Sequence, residues 1–167
     1  MQLRTARLII DEVSKADAPA VLELLNEPDF IRNIADRGVR TLEQAETYIE
    51  QGPLASYQAN GHGLWRVRLK DGPMIGLCGL IYRDYLDVPD VGYGFMARYF
   101  GQGYATEAAQ AAVDYGFAKL GLTRICGIVS PHNEASKRIL QKIGLQYIKQ
   151  ITNPDGKILD YFEVSRS

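Results

Sequence analysis

The chain has 167 residues, 46% of them apolar and 23% charged, with a formal net charge of −1. That length fits one domain, and the balance is that of an ordinary globular protein. It excludes a basic footprint for nucleic acid, a polybasic membrane patch and an apolar run long enough to span a bilayer. In chain order, Arg7 to Val13 reads as a first strand, with Leu8, Ile9, Ile10 and Val13 apolar. Ala16 to Leu25 fits a helix, and a polar stretch from Glu27 to Arg40 reads as loop or short helices. Thr41 can cap a helix from Leu42 to about Leu54, and Gln44 completes a capping box. Leu64 to Leu69 alternates as a strand, Asp71-Gly72 reads as a hairpin turn, and Met74 to Tyr82 returns as a buried strand.

The second half carries the chemistry. Asp90 to Met96 is the next expected strand, followed by a glycine loop and an Ala-rich helix from about Tyr104 to Leu120, ended by Gly121. Arg124 to Val129 is a strand, and Glu134 to Ile143 a helix stopped by Gly144. Leu145 to Ile151 and Ile158 to Val164 form a final antiparallel pair around Asn153-Pro-Asp-Gly156. The whole is α+β: a mixed, mostly antiparallel sheet of about seven strands with helices on both faces. Cys78 and Cys126 stand singly in apolar runs and read as buried free thiols, not as a disulfide or metal site. Residues 1–7 lack a signal peptide's apolar segment, so the expected location is the cytoplasm.

The stretch Phe100-Gly-Gln-Gly-Tyr-Ala-Thr106 joins a strand to a helix start. Free backbone N–H groups there make a nest for a phosphate. A P-loop needs a Lys after its glycines, and none follows. A dinucleotide fingerprint needs a third small residue, where position 106 is Thr, and an opening βαβ unit, which is missing. The remaining readings are a pyrophosphate loop for coenzyme A and an ordinary turn.

The loop resembles the acyl-CoA signature of the GNAT family of N-acetyltransferases, Gln/Arg-x-x-Gly-x-Gly/Ala. Gly103 and Ala105 fill its last two fixed places, while Phe100 stands where Gln or Arg is usual. A second register, Arg98-x-x-Gly101-x-Gly103, matches the bare pattern as well. Thr5-Ala-Arg-Leu-Ile-Ile10, Val91-Gly-Tyr93, the block from Asn133 through Ser136 to Gly144, and the hairpin from Asp155 to Phe162 resemble the RimJ/RimL-type branch in its order.

The resemblance implies a single acetyl-CoA-dependent domain over residues 1–167. The amides of Gln102, Gly103, Tyr104, Ala105 and Thr106 are then expected on the pyrophosphate. The pantetheine arm is expected to pair with the backbone around Phe95, Met96 and Ala97, with Asn133 and Ser136 on its other side. An amine attacks the thioester directly, and a backbone N–H of the Tyr93–Ala97 strand serves the oxyanion. Asp90 is the expected base, with a bridging water, and His132 and His62 are weaker candidates. The Tyr that many members use as the thiolate's acid is replaced by Leu140, which moves that expectation to Ser136. No metal is expected. The acceptor is a small-molecule or peptide amine, met in a groove lined by residues 26–40 and the strands around Trp65 and Tyr82, where Arg32, Arg37 and Arg40 offer charge. The chain is expected as monomer or homodimer. Two alternatives are a non-catalytic acyl-CoA-binding regulatory domain and an enzyme using another short acyl-CoA such as succinyl-CoA.

Overall fold

The computed structural model describes residues 1–166 and builds one eight-stranded sheet. Its strands are β1 (Gln2–Arg4), β2 (Leu8–Asp11), β3 (Leu64–Leu69), β4 (Met74–Ile81), β5 (Asp90–Phe95), β6 (Arg124–Val129), β7 (Gln146–Thr152) and β8 (Ile158–Ser165). The order across the sheet is β1-β2-β3-β4-β5-β6-β8-β7, with only β5 and β6 parallel. The α+β expectation holds. The eighth strand is β1, which pairs antiparallel with β2 across a tight turn at Thr5–Arg7. Its alternation is too short to show in three residues.

Among the described residues, six α-helices flank the sheet: α1 (Ala18–Leu25), α2 (Pro28–Asn33), α3 (Leu42–Ile49), α4 (Ala55–Asn60), α5 (Tyr104–Ala118) and α6 (Glu134–Lys142). The Thr41 hydroxyl accepts the Gln44 N–H and Gln44 reaches back, so the capping box forms as expected. The helix it starts runs past Leu54. A π-helical segment, Glu50–Leu54, absorbs Pro53 and passes the chain into α4, which stops at Gly61 with φ 77°. A wider turn accommodates a proline that lacks the N–H an α-helical turn would use.

Two apolar cores lie against the sheet. One gathers Leu8, Ile10, Trp65, Leu80, Val91 and Phe95 with the small face of α5, Ala108, Ala109 and Ala112. Alanines at that face let the helix lie close to the strands. The other joins Val21, Leu24 and Leu25 of α1 to Ala45, Ile49, Leu77 and Met96. Trp65 is buried and meets Tyr115 edge-on at 5.5 Å between ring centroids, a core residue. Cys78 and Cys126 are buried free thiols, as expected. Among the described residues, no helix is long and apolar enough to cross a membrane.

Candidate active site

The sheet is interrupted where β5 meets β6. The two strands share one bridge, Asp90 with Cys126, and then part. On its other side β5 stays bonded to β4 over six pairs. The Met96 N–H donates to the Ile75 carbonyl at 3.0 Å, which fixes the alternation of that ladder. Val91, Tyr93 and Phe95 therefore turn their N–H and C=O groups away from β4, Val91 toward β6 at the bridge and Tyr93 and Phe95 toward the gap. Inside the sheet there is thus a slot walled by an unpaired strand edge.

Of the three expected arm-pairing positions, Phe95, Met96 and Ala97, one faces the gap. Phe95 lies on the free edge, but Ala97 has left the strand for a 3₁₀ turn, Ala97–Tyr99. Its N–H donates to Glu27 Oε1 at 2.9 Å, and the Met96 N–H is taken by β4. The second edge position is Tyr93, two residues before Phe95.

Asp90 sits at the fork of the gap and is a buried wedge, 2% exposed. Its Oδ2 accepts from Arg83 Nε at 2.6 Å, and the Ile128 amide of β6 also faces it. Burial pushes its carboxyl pKa up, against the lowering effect of the Arg83 guanidinium. The expectation of Asp90 as a base working through a bridging water thus meets a buried carboxylate already paired with Arg83.

Asn133 begins α6 and its side chain accepts the Ser136 N–H at 3.2 Å, so it caps the helix. That cap sets Ser136 in the first turn. The Ser136 hydroxyl lies 2.8 Å from the Tyr93 hydroxyl, which also donates to the Ser136 carbonyl at 3.2 Å. Burial pushes the Tyr93 phenol up, so it keeps its proton at neutral pH. Tyr93 and Ser136 thus form a hydroxyl pair that spans from β5 to α6. Leu140, also on α6, is a fully buried core residue, and its side chain fills the space over Gly127.

At the far end of β5 lies the glycine loop. Gly101 and Gly103 have φ 75° and 83°, the left-handed conformation that glycine alone adopts cheaply. Gly103 is the N-cap of α5, and no side chain caps that helix. Its first backbone bond runs from the Glu107 N–H to the Gly103 carbonyl. The amides of Tyr104, Ala105 and Thr106 are therefore the open donors of the helix start. A bare cradle with converging N–H groups suits a diphosphate. The side chain of Phe100, in the unusual signature place, is exposed and takes no part in forming it.

His62, His132 and the loop arginines have other surroundings. His62 is buried, with Nδ1 2.7 Å from the Leu80 carbonyl, and serves the fold. His132 is exposed in the turn before α6. Arg32 pairs with Asp29, and Arg40 with Asp36 at 2.7 Å, so two of the three loop arginines are engaged. Residues of that segment do reach the site. A side chain on Gly94 of β5 would sit 2.8 Å from Phe30 and 3.2 Å from Ile34, which cover that face. The sequence reading missed Glu27, Arg83 and the Tyr93 hydroxyl, and also a cross-link from Thr5 and Arg7 to Glu107. No local pattern signals these pairings, because their partners lie 7 to 102 residues apart.

Comparison with known proteins agrees with this geometry. A family model described as an acetyltransferase (GNAT) domain matches residues 7–146. YkkB of Bacillus subtilis is 32% identical over 141 residues, 83% of this chain and 80% of that one. The uncharacterized N-acetyltransferase YoaA of the same organism is 32% identical over 146 residues, 86% of this chain and 82% of that one. An acetyltransferase structure from Agrobacterium tumefaciens superposes with a TM-score of 0.83 at 26% identity, over 99% of this chain and 95% of that one. A RimL α-N-protein acetyltransferase in complex with coenzyme A superposes with a TM-score of 0.85 at 12% identity, over 99% of this chain and 98% of that one, a likeness of fold. A split sheet, an uncapped helix start after paired left-handed glycines and a family match over most of the length converge on one conclusion: the chain is an N-acetyltransferase of the GNAT family.

Proposed function

We propose that the protein transfers an acetyl group from acetyl-CoA directly to a primary amine, either a peptide N-terminus or a small molecule. The observation that carries this reading is the slot between β5 and β6, with a free backbone edge leading to an uncapped helix start. A pantetheine arm needs an extended, unpaired strand to lie against, and its diphosphate needs converging amides at the end of that strand. Phe95 supplies the pairing edge. The amides of Gln102, Gly103, Tyr104, Ala105 and Thr106 supply the diphosphate site. Asn133 keeps its Nδ2 for the arm while its Oδ1 caps α6.

The chemistry follows from the same edge. The amine nitrogen attacks the thioester carbon, and the carbonyl oxygen takes up negative charge beside the Tyr93 N–H. Collapse breaks the C–S bond and leaves a thiolate. The Ser136 hydroxyl passes its proton to that sulfur as water returns one to the serine oxygen, and Tyr93 supports Ser136 from behind. An α-amine with a pKa of about 8 is roughly one-tenth free base at pH 7, so water accepts its proton without a strong base. Asp90, held by Arg83, keeps the slot open and is assigned that positioning role in place of proton transfer. The enzyme works in a reducing compartment, in keeping with its two free thiols.

Purified protein should release free thiol from acetyl-CoA in the presence of one or more members of a panel of peptides, amino acids and polyamines. Neither binding nor release across that panel would sink the proposal, and succinyl-CoA run in parallel fixes the donor. Replacing Ser136 by Ala should lower kcat by roughly 100-fold, the low end for a lost proton donor. Full turnover in that variant would remove Ser136 from the scheme.

A further inference from the structure

The glycine loop is tied to the first turn of the sheet by a compact set of contacts. Arg7 Nε donates to Glu107 Oε1 at 2.7 Å, and the Arg7 backbone N–H donates to Glu107 Oε2 at 2.9 Å. The Thr5 hydroxyl donates to the same Oε2 while accepting the Leu8 N–H at 3.1 Å. The Arg7 guanidinium lies over the Tyr104 ring, 4.3 Å from its centroid. With Nε held by Glu107 and one face held by Tyr104, Nη1 has a fixed direction. It donates to the Gln102 carbonyl at 2.8 Å.

That last bond has a geometric consequence. In a planar trans peptide the C=O and the following N–H point in opposite directions. Holding the Gln102 carbonyl toward Arg7 therefore turns the Gly103 N–H away from it, toward the opposite side of the loop. The alternative orientation, with the peptide flipped, would aim a carbonyl oxygen where the N–H now points. Gly103 sits at φ 83°, and glycine occupies positive and negative φ with nearly equal ease. The residue that allows the loop to form thus leaves its own peptide without a conformational preference. A diphosphate discriminates strongly between the two orientations, because one offers a donor and the other repels.

Resting on the diphosphate reading of this loop, we infer that Arg7 is a positioning residue that fixes the Gln102–Gly103 peptide in its anion-accepting orientation. Glu107 acts through Arg7. Burial works against the Glu107 charge, but the Thr5 hydroxyl and the Arg7 amide and guanidinium outweigh it and hold its carboxyl below the ordinary range. The clamp is consequently charged on both sides at neutral pH. A lysine in place of Arg7 would keep the charge but could not bond Glu107 and the Gln102 carbonyl in the same planar fork.

The test compares Arg7→Ala and Arg7→Lys with the unaltered enzyme, using acetyl-CoA and acetyl-pantetheine, a donor without the diphosphate. Both variants should raise KM for acetyl-CoA roughly tenfold, the loss of one oriented hydrogen bond to a charged oxygen, with a smaller change in kcat. With acetyl-pantetheine, both should match the unaltered enzyme. Three results overturn the inference: an unchanged KM for acetyl-CoA in Arg7→Ala, an Arg7→Lys variant that behaves like the parent, or an equal deficit with both donors. The diphosphate reading fails separately, if the unaltered enzyme itself handles the two donors alike. Melting curves for both variants separate a folding defect from a binding one, and Arg7→Lys, which preserves the charge pairing with Glu107, is the variant expected to fold.

Discussion

Replacing Gly103 by Val should raise the dissociation constant for acetyl-CoA about 100-fold, as read by calorimetry. Two effects combine. Gly103 stands at φ 83° as the N-cap of α5, a conformation that costs an L-residue about 1–2 kcal/mol and a β-branched one more. A Cβ there would also lie 3.3 Å from Arg7 Nη2, so the fork that holds the loop has to move. Relief of either strain turns the peptide away from its present orientation and withdraws amides from the phosphate. Losing the orientation of two such donors, at about 1.5 kcal/mol each for bonds to charged oxygen, accounts for the expected factor. Unchanged binding in a variant that melts like the parent would refute the loop's assignment.

The second large effect is expected at Asp90. Asp90→Asn should destabilise the protein by about 3 kcal/mol in urea denaturation, the low end for breaking a buried ion pair. The asparagine cannot balance the Arg83 guanidinium, whose side chain is 29% exposed and so keeps some contact with water. A double variant, Asp90→Asn with Arg83→Met, should recover most of the loss, because neither charge then remains unpaired. Folded Asp90→Asn enzyme should retain the shape of the parent's pH–rate profile. A fall in rate of about 10²-fold or more with unchanged stability would return the proton-accepting role to Asp90.

The two variants mark what the amino-acid pattern discloses and what it hides. The glycine loop was legible because its information is local: left-handed glycines, a helix start and an Ala-rich face lie within one short stretch. The Thr41–Gln44 box and the strand Arg124–Val129 were legible for the same reason, and formed where expected. The π-helical passage through Pro53 was not, since proline ordinarily argues for a helix's end. Asp90 was identified as important, but its burial depends on Arg83 and on the separation of β5 from β6. Arg7 and Glu107 are 100 positions apart, and each reads alone as a surface charge. Long-range pairing of charged groups leaves no periodic trace, so the parts of the site that depend on it emerge only from the fold.

The parting of β5 and β6 also makes the middle of the sheet behave like its rim. Amides at the centre of an eight-stranded sheet ordinarily rank among the slowest to exchange with solvent deuterium. Those of Tyr93 and Phe95 face a gap and should exchange fast in the free enzyme, while those of Leu77 and Met96, on either side of the β4–β5 ladder, stay protected. If the donor's arm pairs with this edge as proposed, it supplies the missing neighbour, and the exchange of these two amides slows selectively. In that sense the enzyme carries a sheet one strand short, with a place for its proposed substrate to complete it.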